Sequence, residues 1–196
     1  MDDVLCRYQR PVRIAHLARL SGRSAAEVEA AIWDSDFELS ADRGQVGGQD
    51  YLDATGARLG CTLRLEDWLA ARRASMTAFP EMFRLVAQLR RRHRVAVLTN
   101  NVDLVAEHAD TLLPGIVEAF GADIYASGAL GLAKPDPAVF RAMAARLGAA
   151  PEESFFVDDL AENIDGARVA GMTAHQFGGI GGLLPALAAR GAILKG

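Results

Sequence analysis

The feature that most constrains this chain is a change of grammar near Phe79. Between about residues 9 and 78, apolar residues recur only at helical spacing. Beyond that point, short continuous apolar runs alternate with helical ones. "RVAVLTNN", "ADIYASGA", "SFFVDD" and "TAHQF" predict buried strands. "PEMFRLVAQLRRRH", "VDLVAEHADTLL", "DPAVFRAMAARLGA" and "AENIDGARVAG" predict the helices between and after them. The third of these helices carries its own punctuation, with Asp136 at the N-cap, Pro137 at the first position and Gly148 at the end. Strands that are apolar throughout, separated by helices, predict an α/β fold: a Rossmann-like parallel sheet with helices on both faces. In such a sheet the functional groups stand just past the carboxyl ends of the strands.

The earlier segment predicts a small bundle of about four helices. "PVRIAHLARL" spaces Val12, Ile14, Leu17 and Leu20 roughly along one face. "SGRSAAEVEAAIWDS" opens with a capping box between Ser24 and Glu27, and Val28 and Ile32 then share a face. "GQDYLDATGARLG" and "LEDWLAARRASM" supply two more amphipathic stretches.

Composition narrows the function. With 51% hydrophobic residues the chain can bury a real core, and a net charge of −4 argues against nucleic acid or an anionic membrane as a partner. The dense basic run Arg90–Arg94 lies between a helix and a strand, where cations at a helix C-terminus are the expected use. Cys6 and Cys61 are too few for a disulfide framework or a zinc site and suit a reducing cytoplasm. No apolar run has the length of a membrane span, so neither a membrane anchor nor a signal peptide is expected. The Gly-rich "FGGIGGLLP" reads as a loop, because no strand, Gly-loop, helix and lysine pattern surrounds it.

The strand ends carry the chemistry. Thr99, Asn100 and Asn101 follow "VAVL". Ser127 follows "DIYA", with Lys134 a little later in "GLAKPDP". Asp158 and Asp159 follow "FFV", and Asp2 and Asp3 stand near the start. Singly, each has a structural explanation: a helix cap for Thr99 and for one of the aspartates, a surface position for Lys134. An adjacent acidic pair at the end of a buried strand is harder to explain without a cation. Together they form a kit for phosphoryl chemistry on a divalent metal. Carboxylates hold the hard cation, while an amine and a hydroxyl grip the phosphoryl oxygens.

The order Asp, Thr, Lys, Asp-Asp separates two families. Phosphoacceptor receiver domains place their acids early and the lysine last. The order here resembles the haloacid dehalogenase-like (HAD) hydrolases, with "VLTNN", "GLAKPDPAVF" and "FFVDDLAENIDGA" similar to that family's second, third and fourth motifs. The resemblance implies a core formed by residues 1–8 and 79–196, and a helical cap inserted over 9–78. It implies an Asp-x-Asp first motif of which "MDDVLCRY" resembles the tail. Asp2 then matches the general acid/base, and the nucleophilic aspartate is expected immediately before Met1, on a strand that the family places mid-sheet. The natural protein is thus expected to begin several residues upstream. An alignment making Asp2 or Asp3 the nucleophile would lack a preceding strand and put Val4 or Leu5 at the acid position.

The expected activity is a Mg²⁺-dependent phosphomonoesterase acting on a small phosphorylated metabolite through an aspartyl-phosphate. Thr99, Asn100 and Lys134 would hold the phosphoryl group. Asp2 (through its carbonyl), Asp158 and Asp159 would hold the metal, and the cap would exclude water. The alternatives are a metal-independent 2-haloacid dehalogenase, or a phosphate-binding protein without turnover. Of the cap residues His16, Trp33, Asp34 and Phe37, the two aromatics are expected in the bundle core.

Overall fold

The structure, a computed structural model, describes residues 1–193. A tight turn over Met1–Cys6 leads into β1 (Cys6–Tyr8), followed by α1 (Arg10–Ser21), α2 (Ala25–Ile32), α3 (Phe37–Asp42), α4 (Gly48–Leu59) and α5 (Leu65–Ala74). Strand β2 (Met76–Ala78) then returns antiparallel to β1, so the helical segment leaves and re-enters through a two-stranded neck. The capping box on α2 forms as expected: the Ser24 hydroxyl accepts from the Glu27 amide at 3.3 Å, and Glu27 accepts from the Ser24 amide at 2.8 Å. This segment holds five helices rather than about four. The extra one, α3, has six residues, too short for a periodic signal.

From Pro80 the alternation holds. In order come α6 (Pro80–Leu89), β3 (Val97–Thr99), α7 (Leu104–Glu107), α8 (Ala109–Leu112), α9 (Ile116–Phe120), β4 (Ile124–Ala126) and α10 (Ser127–Leu130). They are followed by α11 (Pro137–Leu147), β5 (Phe155–Asp158), α12 (Ala161–Val169), β6 (Thr173–Gln176) and α13 (Ile180–Ala189). Asp136 accepts from the Ala138 amide at 2.8 Å, Pro137 starts α11, and Gly148 ends it in the left-handed conformation. The stretch "VDLVAEHADTLL" breaks at His108 into α7 and α8. The Gly-rich run is a loop only up to Gly179. Burial of Leu183 and Leu187 in the core holds α13 helical despite Gly181 and Gly182. Within the basic run, Arg90 donates to the carbonyls of Glu118 and Ala119 at the end of α9. Arg94 pairs with Asp123 and donates to the Leu147 carbonyl at the end of α11. Among the described residues no helix is long and apolar enough to cross a membrane.

Two parallel ladders form the α/β part, β3 with β4 and β5 with β6. They are not hydrogen-bonded to each other, so β3 and β5 each keep one unpaired edge. Between those edges lies a cavity of about 750 Å³, lined by Leu98, Phe156, Met143 and other apolar side chains, with Met1 on its wall. Close approach seats the end of α3 on the α/β part. A Cβ at Gly128 would stand 2.9 Å from the Ala41 carbonyl and 3.0 Å from that of Asn101.

Candidate active site

Two hydrogen-bonded sets, adjoining at Asn100 and Asn101, stand at the carboxyl ends of β3 and β5. Thr99 ends β3 and is buried, and its hydroxyl accepts from the Asn101 amide side chain at 2.7 Å. Between them, Asn100 grips the backbone of Lys134: its amide donates to the Lys134 carbonyl at 2.8 Å and its oxygen accepts from the Lys134 amide at 2.9 Å. That two-point hold fixes the loop after α10 and delivers the Lys134 ammonium to Asp158, at 2.5 Å, where both side chains are buried. Asp158 is over-determined in turn. Its second oxygen accepts from Asn163 on α12 at 2.8 Å and from the Leu160 amide at 3.0 Å. Burial alone would raise the Asp158 carboxyl, but Lys134 and these hydrogen bonds outweigh it and hold the group below its ordinary value.

Asp2 joins the set of Thr99 and Asn101 from the other side, and its partner comes from the helical segment. Arg72 on α5 donates from one nitrogen to the Asp2 carboxylate at 2.6 Å and to the Asn101 oxygen at 2.8 Å. Burial pushes the Asp2 carboxyl up, but Arg72, the amino terminus and Asn101 bring it down past its ordinary value. Burial first, and then the charge of Lys134, lower the Met1 amino group below its ordinary value against the opposing charges of Asp2 and Asp158.

Asp159 differs from its neighbour. It has no cationic side-chain partner among the described residues. Burial first, and then the charges of Asp158 and Asp3, raise its carboxyl above the ordinary value. Asp3 is held at a φ of 55°, an uncommon conformation for a residue other than glycine. No group of three or more His, Cys, Asp or Glu side chains converges among the described residues. The donors on offer to a cation are therefore the Asp158 and Asp159 carboxylates and backbone oxygens, a hard set in which Asp159 lacks a counter-charge.

Thr99 and Asp158 stand at the ends of β3 and β5, Asp2 in the turn before β1 and Lys134 in the loop after α10, and the family model of haloacid dehalogenase-like hydrolases matches residues 1–171. The chain belongs to the haloacid dehalogenase-like hydrolases. It is 34% identical to a phosphatase of Mycobacterium tuberculosis over 123 residues, 60% of this chain and 56% of that protein. It is 38% identical to a phosphoserine phosphatase of Thermus thermophilus over 99 residues, 49% of this chain and 39% of that one. The chain thus spans about half the length or less of these relatives. Its fold superposes with a TM-score of 0.77, at 20% identity and 90% coverage of each chain, on a HAD family enzyme of Bacteroides thetaiotaomicron solved with magnesium and inorganic phosphate.

Sequence reasoning missed the helical segment's contribution, Arg13, Tyr51 and Arg72. Each stands on the buried face of its helix: Arg13 beside Ile14 and Leu17 on α1, Tyr51 beside Leu52 and Thr55 on α4, Arg72 beside Trp68 and Ala71 on α5. The available signal was a charge on an apolar stripe, since a buried arginine is rare without a paired role. Of the suggested cap residues, Phe37 is buried and stacked on Tyr51 at 5.3 Å. Trp33 packs against Arg10 and Arg13, His16 is half-buried and Asp34 is exposed.

Proposed function

We propose that this hydrolase is a Mg²⁺-dependent phosphatase of a small phosphorylated metabolite. The reading rests on one observation above the others: two hydrogen-bonded sets, Asp2–Arg72–Asn101–Thr99 and Asn100–Lys134–Asp158–Asn163, are joined through the backbone of Thr99–Asn101. They bring a carboxylate, a hydroxyl, an ammonium and an acidic pair to the carboxyl ends of β3 and β5. The relatives named as phosphatases support it.

In this reading Thr99 and the amides beside it bind phosphoryl oxygens, and Lys134 offsets their charge while orienting Asp158. Asp2 gives a proton to the leaving oxygen and later takes one from water. The pairing with Arg72 keeps this carboxyl ionised before the phosphoryl group binds, so proton donation requires that pair to loosen when it does. Asp158, Asp159 and the Asp2 carbonyl would hold Mg²⁺, which supplies electrophilic charge to the phosphoryl group. The fit favours a cation there, because Asp159 is half-buried beside the like charges of Asp158 and Asp3 and has no cationic side-chain partner among the described residues. Residues 9–78 act as the cap, closing the site from the side of Arg72. The attacking carboxylate belongs immediately before Met1, and the strand carrying it would fill the cavity of about 750 Å³ between the unpaired edges of β3 and β5.

The test is twofold. The intact mass of the protein from its native source should exceed 20.9 kDa by upstream in-frame residues ending in aspartate. That longer chain should release phosphate from monoesters with Mg²⁺ and stop on chelation. Halide release from 2-haloacids that survives chelation would overturn the phosphatase reading. A native mass equal to that of the 196 residues would overturn the placement of the nucleophile.

A further inference from the structure

The side chain of Asn101 takes no step in the chemistry just described, yet every polar group of this residue is engaged. Its backbone amide donates to the Ser127 hydroxyl at 3.2 Å, and its backbone carbonyl accepts from the Gly128 amide at 3.0 Å. Its side-chain oxygen accepts from Arg72 at 2.8 Å, and its side-chain nitrogen donates to the Thr99 hydroxyl at 2.7 Å. The partners Ser127, Arg72 and Thr99 are all buried. Ser127 and Gly128 open α10, so the backbone of Asn101 is pinned to that element while its side chain reaches from β3 to α5.

We propose that Asn101 is a positioning residue that sets the sense of the hydrogen bond at Thr99, so that the Thr99 hydroxyl accepts from Asn101 and gives its own hydrogen to a phosphoryl oxygen. The proposal rests on the phosphatase reading and adds a residue to its machinery.

Hydrogen-bond polarity is passed along this series from a fixed end. Arg72 can only donate, because a guanidinium carries N–H groups and no acceptor. One of its nitrogens donates both to the Asp2 carboxylate and to the Asn101 oxygen. That contact settles the Asn101 amide, whose two ends are alike in shape and opposite in polarity. Turned over, its NH₂ would face the guanidinium, donor against donor, where a buried and unmade bond is costly. The NH₂ end therefore faces Thr99, and the Thr99 oxygen must accept. A hydroxyl has a single hydrogen and two lone pairs. With the Asn101 nitrogen before one lone pair, the Thr99 hydrogen is turned away from Asn101. It meets no acceptor among the described residues, since the bond from Asn101 is the one that this hydroxyl makes there. A phosphoryl group offers lone pairs alone, so it is best bound by a hydroxyl already aimed as a donor, with no rotor left to order on binding. Because Arg72 stands on α5, the polarity of Thr99 is set from the helical segment.

A double-mutant cycle read by calorimetric titration with inorganic phosphate and Mg²⁺, on the 196-residue chain and its variants, tests this. Thr99→Val removes the hydroxyl and keeps the side-chain shape. It should weaken phosphate binding about tenfold to a hundredfold, the scale of one hydrogen bond to a charged acceptor. Asn101→Asp keeps the shape and the contact with Arg72, but turns an acceptor on Thr99, which then gives its hydrogen to the new carboxylate. The added negative charge repels phosphate whether or not the Thr99 hydroxyl is present. The deciding quantity is therefore the loss on Thr99→Val, measured beside Asn101 and again beside Asn101→Asp. It should vanish in the second background. An equal loss in both backgrounds, as a merely structural Asn101 would give, overturns the proposal. Asn101→Ala serves if Asn101→Asp does not fold. It frees the Thr99 hydrogen to turn either way, so the loss on Thr99→Val should shrink, and an unchanged loss overturns the proposal. If phosphate binds the native chain and Thr99→Val costs nothing there, this inference falls and the phosphatase reading stands. If phosphate fails to bind the native chain, the phosphatase reading falls and takes this inference with it.

Discussion

Two polar clusters meet at Asn101, and they are built on opposite principles. On the α/β side, Asn100 holds the Lys134 backbone at two points, and the Lys134 and Asn163 side chains both donate to Asp158, so that each Asp158 oxygen is occupied. On the helical side, Arg13 and Arg72 are as deeply buried yet each keeps an unpartnered Nε. A saturated network is rigid and presents one fixed charge arrangement, which suits chemistry that must happen the same way for every substrate. An incompletely paired one leaves buried donors whose desolvation is not offset, which lowers its contribution to stability.

That contrast can be broken at its strongest point. Lys134→Met leaves the buried Asp158 carboxylate without its counter-charge and should cost about 3–5 kcal/mol of folding stability, read from urea unfolding. In a chain carrying the upstream aspartate it should also lower kcat/KM by about a hundredfold or more.

The same pair sets an acid limit. The folded carboxyl of Asp158 is lowered, so the unfolded chain binds more protons between the folded and unfolded values, and stability rises with pH across that window. The contribution is complete above the ordinary carboxylate range and is lost as pH falls through the folded value. Asp158→Asn should flatten the acid limb of a stability–pH curve, and an unchanged limb would show that other carboxylates set it.

On the helical side the expected losses are smaller. Arg13→Met should cost less than about 2 kcal/mol, because Glu38 is 27% exposed and stays solvated when its partner goes. A loss as large as that of Lys134→Met would remove the distinction between the two clusters. Smallest of all, Ser24→Ala removes the capping box of α2 and should cost about 1 kcal/mol in thermal unfolding.

The α/β part was the more legible half in sequence because its signals are local. Asp136, Pro137 and Gly148 bracket α11 within a dozen residues, and the residues after "VAVL" and "FFV" are at strand ends by the alternation alone. The helical half hid its working residues. Arg13 and Tyr51 meet across 38 positions and Arg72 and Asp2 across 70, so no spacing rule connects them. Their only trace was a charge on an apolar face. The helix α3 and the start of α13 were missed for the opposite reason, since packing overrides weak or contrary local preference.

The sequence by itself determined the element types, the α/β class and the set of groups placed at the strand ends, because periodicity, caps and motif order are short-range properties of the chain. Only the tertiary structure decided that Asp2 is held by an arginine from the helical segment and that Asp158 is saturated while Asp159 is not. It alone revealed two unpaired strand edges facing a cavity, and two buried arginines with donors to spare. These are matters of which side chains share a small buried volume. That depends on how distant segments pack, and a linear pattern carries no record of it.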